Sequence, residues 1–246
     1  MPEVHDRDGA VSTEELLAHF DRRKEGLEDL CKTTKSLVET ILKEKGISIH
    51  SVQGRVKDRN KLATKYSSSD KDYRSLTEVP DVVAFRIITY YADAIDNVKN
   101  TVLREFALIG QPDDKRVAAK VHEFGYSALH VDCTYSEARL NGTEYQRFAN
   151  TRFEIQITTI LGHAWAEIHH GWYDNKSISP ADEERRFHRL AAVLELADQE
   201  FVHIRKEKEN REKLSSVREN LLAPVDMELH ELQESERQML DPHRDV

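Results

Sequence analysis

Cysteine is nearly absent: Cys31 and Cys133 stand far apart, with no CxxC or CxxH spacing. This excludes a disulfide framework and a structural zinc site. Glycine is sparse too, at nine residues, and neither GxxxxGK[ST] nor GxGxxG occurs. A nucleotide here has to be held by side-chain cations and a metal rather than by a glycine-rich backbone cradle. No apolar run approaches the ~20 residues of a membrane-spanning helix. The opening Met1-Pro2-Glu3-Val4-His5-Asp6 lacks an apolar signal core, so a cytoplasmic location is expected. Positive charge is not in excess. A net charge of −9 argues against broad nucleic-acid binding, and any basic patch must stand out against an acidic background.

What is present is charge and helical periodicity. Charged residues make up 33% of the 246-residue chain, which suits a catalytic domain of roughly 150 residues with helical additions. Residues 12–45 read as helix, opened by a capping box of Ser12 and Glu15 and ended at Gly46. A short strand is expected over 47–54, a basic segment leading into a helix over 55–66, a strand from Asp81 and a helix over 93–105. Tyr126 to Tyr135 alternates as a strand, Asn141-Gly142 signals a hairpin turn, and 144–159 supplies the returning strand. A helix follows over 160–173. After Pro180 the pattern is almost wholly helical, with Pro224 expected to interrupt it. The fold class is therefore α+β, a mixed sheet flanked by helices, with helical segments 1–46 and 179–246 around a domain at 47–178.

The chemistry concentrates on a few elements. In Arg152-Phe153-Glu154-Ile155-Gln156-Ile157-Thr158-Thr159, period-two alternation sends Glu154, Gln156 and Thr158 to one face. Asp81 opens a second apolar run that carries Arg86 inside it, and a guanidinium there needs an anionic partner: Glu154, or a phosphate. Arg55, Lys57, Arg59, Lys61 and Lys65 face one acid, Asp58. If helical, Lys57, Lys61 and Lys65 share a face and repel one another until a polyphosphate, or simply solvent, screens them. Asp81 and Glu154 are the candidate magnesium pair, because Mg2+ takes one or two carboxylates plus waters and substrate phosphates. Tyr126, after Gly125, offers a ring to a nucleobase or to the core. His163, Glu167 and His170, at i, i+4 and i+7, are a further metal-ligand candidate, though such helices commonly just pack.

In order and spacing these motifs resemble the synthetase domain of the RelA/SpoT family, the alarmone synthetases, from about Ser51 to Tyr173. Arg55, Lys57 and Lys65 match its ATP-binding R-x-K and following lysine, and Asp81 to Ile88 match D-x-x-G-x-R-I-I, with Ala84 for the glycine. Gly125, Tyr126 and His130 match G-Y-x-S-x-H. Glu154 to Thr159 match E-I-Q-I-R-T, with Thr158 for the arginine. Trp165-Ala166-Glu167-Ile168, His170 and Tyr173 resemble the helix that follows.

The resemblance implies a nucleotidyltransferase-like synthetase domain of the small, single-domain kind, moving pyrophosphate from ATP to the 3′-hydroxyl of GDP or GTP to make (p)ppGpp. Arg55, Lys57, Lys61, Lys65 and Arg86 would bind ATP, and Asp81 and Glu154 would be catalytic and hold Mg2+. Tyr126, His130 and Gln156 would face the acceptor. Departures cluster on the acceptor side, at His122-Glu123-Phe124 and Ser127-Ala128. Two alternatives follow: a relative that modifies the tRNA 3′ end, with Arg22, Arg23 and Lys24 touching its backbone, and a non-catalytic nucleotide- or partner-binding module. A homo-oligomer joined through the terminal helices is a further expectation, and no membrane partner is expected.

Overall fold

A computed structural model describes residues 12–68, 73, 75–114, 128–173 and 181–240. It divides into two compact units, Met1–Gln199 and Glu200–Val246. Among the described residues no helix is long and apolar enough to cross a membrane.

Helix α1 (Thr13–Glu44) begins with the expected capping box: the Ser12 hydroxyl accepts from the Glu15 backbone, and the Glu15 carboxylate accepts from the Ser12 backbone. It ends before Gly46, whose φ of +66° few other residues adopt cheaply. Its buried stripe of Leu16, Phe20, Leu27, Leu30, Val38 and Leu42 lies on the sheet, where the Thr34 hydroxyl meets Tyr135 Oη at 2.7 Å.

The sheet contains β1 (Ile49–Val56), β2 (Val83–Thr89), β3 (Phe106–Leu108), β4 (Asp113–Asp114), β5 (Leu129–Tyr135) and β6 (Phe153–Thr159). Their order is β1-β2-β6-β5-β3, with β4 beside β5. Only β2 and β6 run parallel; the other pairs are antiparallel. The mixed sheet flanked by helices is therefore the architecture found. Alternation sends Val83, Phe85 and Ile87, Leu129, Val131 and Cys133, and Phe153, Ile155 and Ile157 to one face, all 1% exposed or less. There Phe153 meets Phe85 and Phe106 edge to face, packing that adds to the burial itself. Helix α2 (Arg59–Ser68) follows β1, and α3 (Ala94–Glu105) lies between β2 and β3.

Three expectations fail on local grounds. Asn141-Gly142 closes no hairpin. Residues 137–146 form two short helical turns, α4 (Glu137–Leu140) and α5 (Thr143–Gln146). Gly142 has φ −77° rather than the positive φ a tight hairpin needs, so the returning strand is only 153–159. Asp81 does not open a strand; it takes φ +58° in the turn before β2. Pro224 does not interrupt its helix. Beyond α6 (Ile160–Tyr173), α7 (Ala181–Leu240) runs through it, because losing one N–H does not stop a helix whose flanking turns are rich in Leu, Glu and Arg.

Candidate active site

The face opposite the hydrophobic core is ionic, and register lays it out in two rows. Arg55 pairs with Ala84, Ala84 with Glu154, and Glu154 with Asp132. One step along the strands, Gln53 pairs with Arg86, Arg86 with Gln156, and Gln156 with His130. Cross-strand partners share a face, so these side chains project to the same side of the sheet.

Glu154 is the hub. Its Oε1 stands 2.8 Å from His130 Nδ1, and its Oε2 accepts from Gln156 Nε2 at 2.6 Å. A carboxylate only accepts, so the ring proton sits on Nδ1. Burial alone would raise the carboxyl's pKa. The donors and charge of His130, the Gln156 amide and the Lys65 ammonium outweigh it and hold the pKa at about 2. Gln156 also accepts from Arg86 Nε at 3.2 Å, forming a chain from guanidinium through amide to carboxylate.

Asp81 is held by two lysines on different elements. Lys57, just past β1, reaches Oδ2 at 2.6 Å, and Lys65 on α2 reaches Oδ1 at 2.7 Å. Burial lowers the Lys57 pKa, against the opposing pull of Asp81. Lys65 thus bears on both acids: it contacts Asp81 directly and acts on Glu154 through its charge. The proposed shared helical face of Lys57, Lys61 and Lys65 does not form, because α2 starts only at Arg59. Lys61 is exposed on α2, and Arg55 is exposed on β1 on the ionic side.

Arg86 finds its anion 81 residues downstream. Nη1 lies 2.6 Å from Glu167 Oε1 and 3.0 Å from His163 Nδ1, so its salt-bridge partner is Glu167 and not Glu154. Burial, aided by the Arg86 charge, lowers the His163 pKa. The neutral ring can therefore accept from the guanidinium. His163 and Glu167 orient this arginine, and their i, i+4 spacing on α6 is the signal the sequence offered. Also unforeseen was Asp132, whose Oδ2 takes Arg152 Nη2 at 2.5 Å while Oδ1 is buried without a hydrogen-bond partner. Its alternation on β5 with His130 was the available clue. Gly125 and Tyr126 lie outside the described residues, as do the side chains of Trp172 and Tyr173. Of the basic trio on α1, Arg23 donates to Thr151 at 2.9 Å, and neighbouring Asp21 holds Arg59.

The donor set suits a hard divalent ion that keeps its own waters. Glu154 and Asp81 both offer carboxylate oxygens. Among the described residues no cluster of three His, Cys, Asp or Glu forms a closed metal cage. Glu154 and Asp81 are the one or two carboxylates that a Mg2+ site would need, its shell being completed by water and phosphate.

Comparison with known proteins bears on the fold and the family. Among curated proteins no match was found. The small alarmone synthetase 1 from Bacillus subtilis superposes with a TM-score of 0.65 at 22% identity, covering 78% of this chain and 98% of that one. The same enzyme bound to its product pppGpp gives 0.65 at 23% identity, covering 77% and 98%. A GTP pyrophosphokinase family protein from Streptococcus pneumoniae gives 0.61 at 23% identity, covering 78% and 94%. At these identities the likeness is one of fold. The sequence itself matches the family described as "Region found in RelA / SpoT proteins" over residues 54–178, half of the chain, and the chain belongs to the RelA/SpoT family.

Proposed function

We propose that the chain is a pyrophosphotransferase that moves the β,γ-pyrophosphate of ATP to the 3′-hydroxyl of GDP or GTP. The observation that supports this most is the linked set in which Lys57 and Lys65 hold Asp81, the Lys65 charge acts on Glu154, Arg86 reaches Glu154 through Gln156, and Arg55 shares their strand face by register. Two ammonium groups converging on one carboxylate offer the same geometry to phosphate oxygens. Arg86, held in place by Glu167 and His163, would present its guanidinium to the triphosphate. Asp81 and Glu154 would hold Mg2+, which when bound neutralises charge on the transferring group. Phosphoryl and pyrophosphoryl transfers depend chiefly on positioning and charge stabilisation.

The acceptor oxygen attacks the β-phosphorus, the bond from that phosphorus to the α-phosphate's bridging oxygen breaks, and AMP leaves. A Glu154 with a pKa near 2 stays ionised throughout the neutral range, which suits it to holding a cation or orienting the hydroxyl more than to keeping its proton. Glu154 would orient the acceptor hydroxyl, whose proton passes to solvent water as the new P–O bond forms, while His130 keeps its hydrogen bond to Glu154. The relatives bound to pppGpp and to AMPCPP are consistent with donor and acceptor of this class.

The test is a panel of GDP, GTP, adenine nucleotides and tRNA, each incubated with ATP and Mg2+, with products resolved by chromatography. AMP release matched by pyrophosphorylated GDP or GTP is expected. Label appearing only on tRNA would replace the acceptor, and nucleotide binding without AMP release would leave a binding module.

A further inference from the structure

The second unit, from Glu200 onward, carries a feature the pyrophosphotransfer does not use. Leu214, Val217, Leu221, Val225, Leu229 and Leu232 are each at least 54% exposed. At 3.6 residues per turn they fall within about a third of the helix circumference and extend ~27 Å along it. The helix also bears Pro224 in its interior, which removes one backbone N–H from the helical hydrogen-bond ladder. A lone helix with a proline and an uncovered leucine stripe is a poor structure in water.

Two properties of the stripe identify what covers it. Its spacings are 3, 4, 4, 4 and 3 residues, the same read in either direction. Turned about Ala223, Leu214 lies opposite Leu232, Val217 opposite Leu229, and Leu221 opposite Val225. The charges flanking the stripe invert about the same point. Residues 205–218 hold six Lys or Arg against three acids, whereas 228–241, which lie opposite them, hold five acids against one Arg. An antiparallel copy therefore sets a basic half against an acidic half at both ends, and Arg218 opposite Glu228. A parallel copy stacks like on like, which is unfavourable.

We propose that residues 214–232 pair with the same residues of a second copy of this chain, antiparallel, about a two-fold axis at Ala223. The partner is fixed by self-complementarity of both the apolar stripe and the charge, as an isologous interface requires. The stripe is short, about five turns, so the dimer is reversible and weakens as salt screens its flanks.

Sedimentation of the full chain across protein concentration reads this directly. The mass rises from 28.5 kDa toward twice that value, and the midpoint moves to higher concentration in 1 M salt. Leu221→Glu with Val225→Glu keeps the helix, since both sites are exposed, and holds the chain at the monomer mass. Cysteine pairing then reads orientation, with the unsubstituted chain as control for Cys31 and Cys133. Leu214→Cys chains mixed with Leu232→Cys chains form an intermolecular disulfide, while neither variant cross-links with itself. A chain that stays monomeric at every concentration overturns the proposal. So does self-cross-linking of Leu214→Cys, which requires a parallel pair, or a dimer that survives the double Glu substitution.

Discussion

Two carboxylates in the first unit, one half-buried and one buried, sit in opposite electrostatic regimes. Glu154, on the ionic face of the sheet, has donors on both oxygens and its pKa held at about 2. Asp198, on α7 and 3% exposed, receives one bond, from Thr159 Oγ1 at 2.6 Å; its other oxygen is buried without a partner, and burial pushes its pKa up to about 7. Hydrogen-bond donors and nearby positive charge offset burial at Glu154, whereas burial prevails at Asp198. The ionised carboxylate has the cationic groups around it, and the one near neutrality braces a junction: the Thr159 hydroxyl that donates to Asp198 accepts from Gly162 N at the start of α6.

Glu154→Gln breaks the first half of that contrast and has the largest expected effect. Turnover in the nucleotide panel should fall by at least ~10³, the scale of losing a charge-positioning group, with the circular dichroism spectrum unchanged. The same variant removes a pH dependence. A carboxyl with its folded pKa below the unfolded value of 4.5 contributes stability above that pH and loses it as pH falls toward 2. Acid melts of the wild type should therefore decline over this window more steeply than those of Glu154→Gln. Wild-type turnover in the variant would remove Glu154 from the site.

A smaller effect is expected from His130→Ala, which strips one donor from Glu154 and moves it toward the Asp198 condition. Its pKa should rise, seen as an upward shift of the acid limb of the pH–rate profile, with kcat reduced about 10- to 100-fold. An unmoved acid limb would show that His130 does not set the ionisation of Glu154. Smallest is Asp198→Asn. A carboxyl with a raised folded pKa binds its proton on folding, so stability is greatest at low pH and drops as pH climbs from about 4 through 7. Asparagine can still accept from Thr159. The variant should melt a few degrees higher than wild type at pH 8 and near it at pH 5, with activity kept. A lower midpoint at pH 8 would mean that the ionised form is the one the junction requires.

What the sequence made legible was what local pattern controls. The alternation of 153–159 placed Glu154 and Gln156 together on the face opposite Phe153, Ile155 and Ile157, and Ser12 with Glu15 marked a helix start. Long-range pairing was not legible. Nothing local to Arg86 names Glu167, because parallel pairing of β2 with β6 is what carries α6 to it. Nor did the four-residue spacing of Lys57, Lys61 and Lys65 reveal that the first of them sits outside the helix. Asn141-Gly142 carried a strong turn signal, but its neighbours wind into helical turns instead, a case of context overriding propensity.

Lys65, touching Asp81 and acting on Glu154, makes the two acids thermodynamically inseparable. Any anion that recruits this ammonium leaves both carboxylates hungrier for a cation, and any cation captured there frees the ammonium for an anion. If an anion and a cation both bind here, linkage requires the two affinities to rise by one common factor, and this side chain would be what couples a negatively charged ligand to its counter-ion.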